Sequence, residues 1–177
     1  MEFKMKVIQN FLDEEVFKQI QNTVLGNHKD PEKLAWFFNK FVAYRKDYNL
    51  EKIGNSYFTH TLYELDYDDY SLYLSNHYGH ILKPLLQKLN VNSLIRAKIN
   101  LYPRTKEIVH HKPHIDFKYP HKGFILSLNT CDGYTEFEDK KIPSIENQAL
   151  FFDSSKYHNS TTCTNDYARY NININYL

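Results

Sequence analysis

The segment Tyr167-Ala168-Arg169-Tyr170-Asn171-Ile172-Asn173-Ile174-Asn175-Tyr176 decides how the chain is read. In an extended strand successive side chains point to opposite faces, so Arg169, Asn171, Asn173 and Asn175 share one face and Tyr170, Ile172, Ile174 and Tyr176 the other. The stretch Leu94 to Tyr102 repeats the split, with Arg96, Lys98, Asn100 and Tyr102 set against Ile95, Ala97, Ile99 and Leu101. Two packings fit this pattern. The polar faces can look to water, as on an ordinary half-covered sheet. Alternatively the apolar faces pack on helices and the polar faces line an interior, and then Tyr102, Asn100, Arg169 and Asn171 converge on one cavity.

Between these two segments the chain is a series of short apolar runs separated by turn residues, the pattern of an antiparallel sandwich or barrel. Eight strands are expected: Leu94 to Tyr102, Pro113 to Phe117, Gly123 to Asn129, Tyr134 to Glu138, Lys140 to Ile145, Gln148 to Asp153, Tyr157 to Thr162 and Tyr167 to Tyr176. That number matches a jelly roll. The N-terminal half reads differently. Asp13 is a helix N-cap, followed by Val16, Phe17, Ile20 and Val24 on one side and Gly26 as the stop. Asp30-Pro31-Glu32 opens a second helix with Leu34, Phe37, Phe38 and Phe41 as its stripe. Ser56 to Glu64 reads as a strand, and a long helix from about Asp69 to Leu89 follows, kinked at Pro84. The expected architecture is an all-β core with helical support (α+β). Its core is a double-stranded β-helix, or jelly roll, of about eight strands with the N-terminal helices packed on one sheet. A single domain, 1–177, divides into a helical support region, 1–90, and a core, 91–177.

At 177 residues the chain can bury roughly 70% of its unfolded surface in one domain without a staple. A formal net charge of +1 gives no electrostatic footprint for nucleic acid, which is therefore not the expected partner. Cys131 and Cys163 are too few for a disulfide framework, though they can meet in space, and they fit a reducing cytoplasm. No signal peptide and no apolar run of ~20 residues is visible, so a soluble, cytoplasmic protein without membrane contact is expected.

The chemistry concentrates at His114-Ile115-Asp116. In an extended segment these two outer side chains point the same way, an imidazole and a carboxylate ready for one ion, and His158 can complete the set. Two imidazoles and a carboxylate on one face of a metal leave open positions, which suits non-haem Fe(II) that must also bind a cosubstrate and oxygen. Arg169 adds a permanently charged fork for a carboxylate. His111 lies at opposite parity to His114 and is expected to be a non-ligand. His110, His121 and Cys163 are competing donors, but no Cys-x-x-Cys or His-x-x-x-His pair supports structural zinc.

The order of these parts, His-x-Asp, a second His 42 residues later and an Arg 11 beyond it, resembles the 2-oxoglutarate- and Fe(II)-dependent dioxygenase superfamily, in particular its prolyl-4-hydroxylase-like branch. Asp132-Gly133-Tyr134-Thr135-Glu136-Phe137 resembles that family's Gly-Gly-x-Thr-x-Phe stretch with Asp132 in place of the first Gly. Asn147-Gln148-Ala149-Leu150-Phe151-Phe152 resembles the turn and strand before the distal His, although the glycines of that turn are missing. The resemblance spans about Leu94 to Tyr176. It implies that His114, Asp116 and His158 hold Fe(II), and that Arg169 grips the distal carboxylate of 2-oxoglutarate with Tyr102 as hydroxyl partner. Asn171 and Ser127 are further cosubstrate-binding candidates. The implied reaction is hydroxylation of a C–H bond in a protein or peptide side chain of the prolyl type, or in a small metabolite. O2 is the second cosubstrate, and 2-oxoglutarate is decarboxylated to succinate. Two other readings stand beside it. Arg169-Tyr170-Asn171 is similar to the Arg-x-Asn motif of nucleic-acid oxidative dealkylases, without their second Arg. A non-enzymatic, cupin-like ligand-binding jelly roll would use the histidines as structural residues.

Overall fold

The computed structural model describes residues 4–26, 34–42, 55–65 and 71–177. In chain order the strands and helices are β1 (Lys6–Ile8), α1 (Glu14–Leu25), β2 (Phe37–Asn39), β3 (Tyr57–Leu65), β4 (Leu72–Leu74), α2 (Leu82–Leu89), β5 (Leu94–Pro103), β6 (Lys122–Ser127), β7 (Cys131–Glu136), β8 (Lys141–Ser144), β9 (Ala149–Asp153), β10 (Asn159–Ser160) and β11 (Ala168–Tyr176). They form two antiparallel sheets. The larger runs β1-β9-β6-β11-β5-β3-β2, with β4 also on β3, and the smaller runs β10-β7-β8.

The alternation that singled out the C-terminal segment works as a partition of the molecule. β11 lies between β5 and β6, with Arg169 opposite Tyr102, Asn171 opposite Asn100, Asn173 opposite Lys98 and Asn175 opposite Arg96. Its apolar face, Ile172 and Ile174, joins Ala97 and Ile99 of β5 and Phe124 and Leu126 of β6 in the main core. Phe17, Ile20 and Val24 of α1 and Leu82 and Leu85 of α2 belong to the same buried cluster. The helices thus cover the apolar side, and the polar rows are left facing inward.

The N-terminal half departs from the expected helical support. Asp30, Pro31 and Glu32 lie outside the described residues, but Phe37 and Phe38, expected on a helix, pair as β2 with β3, and the Phe38 and Phe58 rings meet at 5.4 Å. Aromatic residues suit a pleated surface, and a waiting strand edge overrides their helical spacing. Of the long helix expected from Asp69 to Leu89, Asp69 is outside the described residues. Leu72–Leu74 instead pair with Tyr63–Leu65, Asn76–Tyr78 form a 3-10 turn capped by the Ser75 side chain, and only Leu82–Leu89 is α-helical. Pro84 does not kink a helix. It sits in the first turn of α2, where its missing N–H has no intrahelical partner to lose. The described residues of region 1–90 therefore contribute four strands to the large sheet as well as two helices. Among the described residues no helix is long and apolar enough to cross a membrane.

Within 91–177 the expected strands form with shifted ends, except Pro113 to Phe117, which is no regular strand. His114 instead makes an isolated antiparallel bridge with His158.

Candidate metal centre and ligand cavity

Three backbone hydrogen bonds fix the centre. His114 N–H donates to the His158 carbonyl (2.9 Å), His158 N–H donates to the His114 carbonyl (3.0 Å), and Asp116 N–H donates to the Ser154 carbonyl (3.0 Å). The segment is extended enough to keep His114 and Asp116 on one side. One ligand atom from each of His114, Asp116 and His158 lies within 4.8 Å of the others, and the trio does not include His110, His111 or His121. Each imidazole is already oriented: His114 Nδ1 donates to the Lys112 carbonyl (3.3 Å) and His158 Nδ1 to the Lys156 carbonyl (3.0 Å). With Nδ1 protonated, both Nε2 atoms keep their lone pairs, and they stand 3.9 Å from Asp116 Oδ1 and Oδ2 respectively. Burial holds both rings neutral, pushing His114 down to about 4 with the help of the neighbouring His158, and lowering His158 as well.

Asp116 is the anionic member. Burial alone would raise its carboxyl, but the Arg96 guanidinium, His158, Lys98 and the Ser154 hydrogen bond together outweigh this and hold it well below the usual carboxylate range. Arg96 Nη2 donates to Oδ1 at 3.0 Å, Asn175 Nδ2 donates to Oδ2 at 2.9 Å, and the Ser154 hydroxyl makes a short bond to Oδ2. A carboxylate offers about four lone-pair sites, and three donors leave one, on Oδ1. The donor set therefore fits a divalent metal with open coordination positions: two neutral imidazoles and one carboxylate pre-aimed at a common point.

The trio opens onto a cavity of about 410 Å³, counting its open mouth. From β5 it receives Lys98, Asn100 and Tyr102, and from β11 Asn171 and Asn173. Thr135 of β7, Ser160 of β10 and Tyr57 of β3 complete the polar wall. Tyr57 and Tyr102 stack at 5.6 Å, and burial raises both phenols above their ordinary range, so both are neutral hydroxyls. Among the described residues the amide oxygens of Asn100 and Asn173 are buried without a partner, which suits a hydrogen-bonding occupant. Burial, helped by Arg96, lowers the Lys98 ammonium to about 8.

Tyr102 and Asn171 are in this wall, as expected. Arg169 and Ser127 are not. Arg169 is 1% exposed and lies behind the wall, where Nη1 donates to the carbonyls of Tyr134 (2.8 Å) and Thr161 (3.3 Å) and Nη2 to the Thr135 hydroxyl (2.8 Å). It reaches the cavity wall through Thr135 and through Tyr102, whose ring centre lies 5.7 Å from the guanidinium carbon. Ser127 is buried at the β6 end opposite Asn171, its backbone tied to Gln148 and Asn147. The sequence reading missed Lys98, Asn173, Thr135, Ser160 and Tyr57 as wall residues. Lys98 and Asn173 carried a usable signal, since they share the inward parity of Tyr102 and Asn171. Cys131 and Cys163 do meet through a side-chain hydrogen bond, away from the trio.

No protein-family model and no curated protein sequence matches the chain. Among solved structures 204 chains match. The fold is similar to that of solved prolyl hydroxylases and of a 2OG-Fe(II) oxygenase family protein. A 2OG-Fe(II) oxygenase family oxidoreductase from Burkholderia pseudomallei superposes with a TM-score of 0.67 at 9% identity, over 97% of this chain and 84% of that one. A Trichoplax adhaerens prolyl hydroxylase, solved in complex with a hypoxia inducible factor oxygen degradation domain peptide fragment, gives 0.64 at 15% identity, over 98% and 83%. A Pseudomonas putida prolyl-4-hydroxylase gives 0.61 at 11% identity, over 98% and 92%.

Proposed function

We propose that the protein is a 2-oxoglutarate- and Fe(II)-dependent dioxygenase of the prolyl-4-hydroxylase-like branch, hydroxylating a C–H bond in a protein side chain of the prolyl type or in a small metabolite. The observation that carries this reading is the trio itself: His114, Asp116 and His158, each oriented by a backbone or side-chain hydrogen bond, with lone pairs converging at the mouth of a polar cavity. These three residues would hold Fe(II). A metal held there would, with O2 and 2-oxoglutarate, supply the oxidising chemistry for the hydroxylation, with 2-oxoglutarate converted to succinate and carbon dioxide.

The chain's own part is placement and exclusion. Neutral imidazoles and an ionised Asp116 are ready ligands at neutral pH, so no proton must leave before metal binds. Neutral Tyr102 and Tyr57 offer hydroxyls to a carboxylate, while the Asn100 and Asn171 amides, bonded to each other at 2.9 Å, stiffen the floor between them.

The test is Fe(II)-dependent succinate formation from 2-oxoglutarate across peptide, amino-acid and nucleic-acid pools, with His158→Ala as the blank. The wild type is expected to form succinate, slowly even without its substrate. Asp116→Ala is expected to lose Mn(II) binding. Absence of turnover in every pool, or equal metal content in wild type and Asp116→Ala, would overturn the reading.

A further inference from the structure

The two cysteines stand apart from the metal trio and take no part in the chemistry proposed for it. Both are free thiols, and both are buried. Cys131 opens β7, while Cys163 lies just beyond β10.

Their neighbours lock these two places together. Asp132 N–H donates to Asn165 Oδ1 at 3.0 Å, Thr164 N–H donates to Asp132 Oδ1 at 2.8 Å, and the Thr164 hydroxyl makes a short bond to Asp132 Oδ2. The residue after each cysteine is thus bonded to the residue after the other, and the two thiols share a side-chain hydrogen bond. Sulfurs already in contact can bond without the backbone movement that a distant pair would need.

The surroundings sort the pair into an attacker and a partner. The hydrogen bond from Cys163 holds the Cys131 thiol below its ordinary range against the opposing effect of burial, and the Arg169 guanidinium adds to the lowering. The Arg169 stem is packed close by, since a Cβ on Gly133, two residues after Cys131, would stand 2.9 Å from Arg169 Cδ. The same sulfur contact, together with burial, pushes Cys163 up. Cys131 also keeps 6% exposure where Cys163 has 0%, so a small oxidant meets Cys131 first. A thiolate favoured by a nearby cation is the form that attacks a peroxide.

We propose that Cys131 and Cys163 are a peroxide-responsive dithiol that closes on oxidation into a disulfide, stapling the start of β7 to the segment after β10. The Cys131 sulfur attacks one oxygen of hydrogen peroxide, the O–O bond breaks, and the departing hydroxide takes up the thiol proton as water. The Cys163 sulfur then displaces the hydroxyl group of the Cys131 sulfenic acid, which leaves with the second thiol proton as another water. One electron pair passes from the two sulfurs to the peroxide. The bridge closes the loop 131–163, which carries Thr135, His158 and Ser160 of the candidate site, and it does so whatever reaction that site performs.

The experiment treats the full chain with an equivalent of hydrogen peroxide, folded and in urea, blocks the remaining thiols with N-ethylmaleimide and follows the products by mass spectrometry. The folded wild type is expected to lose both thiols together and two hydrogens in mass, to yield a peptide joining Cys131 to Cys163 on non-reducing digestion, and to recover both thiols with dithiothreitol. Bridging is expected to be about tenfold or more slower in urea, where the contact and the nearby guanidinium are gone. Cys163→Ser is expected to stop at a sulfenic acid on Cys131 that dimedone traps, and Cys131→Ser to resist peroxide. The oxidised wild type is expected to unfold at a higher urea concentration than the reduced protein, because the bridge restricts the unfolded chain. Wild-type thiols that survive peroxide, bridges between chains instead of within one, or bridging as fast in urea as in the folded protein would each overturn the proposal. These three outcomes are read on the wild type alone, so they hold even where a serine variant fails to fold. A bridge that forms but lowers the urea midpoint would overturn its role as a staple.

Discussion

Asp116 illustrates how much of a candidate metal ligand is decided by its neighbours. Ser154 and Asn175 hold Oδ2, so that Oδ1 presents its remaining lone pair on the side of His114. Loss of such an orienting partner typically weakens metal binding by about tenfold or more. Ser154→Ala is accordingly expected to lower Mn(II) affinity about tenfold while leaving the unfolding transition cooperative, as a titration of the two proteins would show. At this scale the sequence was legible where chemistry is local: His114, Asp116 and His158 are together as their spacing suggested. Asn147 shows the opposite case. The turn there lacks the glycines of similar chains, yet Asn147 takes φ 55° and its amide also bonds Leu12 at both N–H (2.9 Å) and carbonyl (2.8 Å). Asn tolerates the left-handed region and adds a clamp that Gly could not. That partner is 135 residues away, so no local pattern announces it.

Among the elements, β7 shows why an unremarkable glycine matters. A Cβ on Gly133 would stand 2.6 Å from the Thr162 carbonyl oxygen and 2.9 Å from Arg169 Cδ, and neither the backbone nor the pinned guanidinium can give way cheaply. Gly133→Ala is expected to cost about 1–3 kcal/mol in a denaturant melt. Preceding it, Asp132 replaces the first glycine of the resembled motif and accepts a bond from Thr164 N–H at 2.8 Å, holding the loop after β10 in place. The alternation in β5 and β11 was readable because a period of two admits few other structures. Phe37, Phe38 and Leu72 to Leu74 were misread as helical because short aromatic and apolar runs fit either period, and pairing with β3 decides between them. The inward polar row was also visible, but not which of its cations is engaged, since the partners of Arg169 lie on β7 and beyond β10.

For the molecule as a whole, the buried imidazoles link folding to pH. His114 is neutral in the folded chain down to about 4, and burial lowers His158 too, whereas an unfolded His takes a proton near 6.5. The unfolded state therefore binds more protons between these limits. Stability of the metal-free protein is present above about 6.5 and is lost as pH falls toward 4, by up to about 1.4 kcal/mol per pH unit for each ring. Urea melts in chelator at pH 7 and pH 5 should show this loss, and His114→Gln should flatten it.

The paired hydrogen bonds between His114 and His158 have a thermodynamic consequence. Because the two imidazoles are carried on residues that bridge each other's backbone, their separation is set when the chain folds. The entropy of gathering the ligands is spent in folding and does not recur when a metal binds, in contrast to small zinc domains that fold only around their ion. A metal held at this centre would thus be a reversible occupant of a standing scaffold.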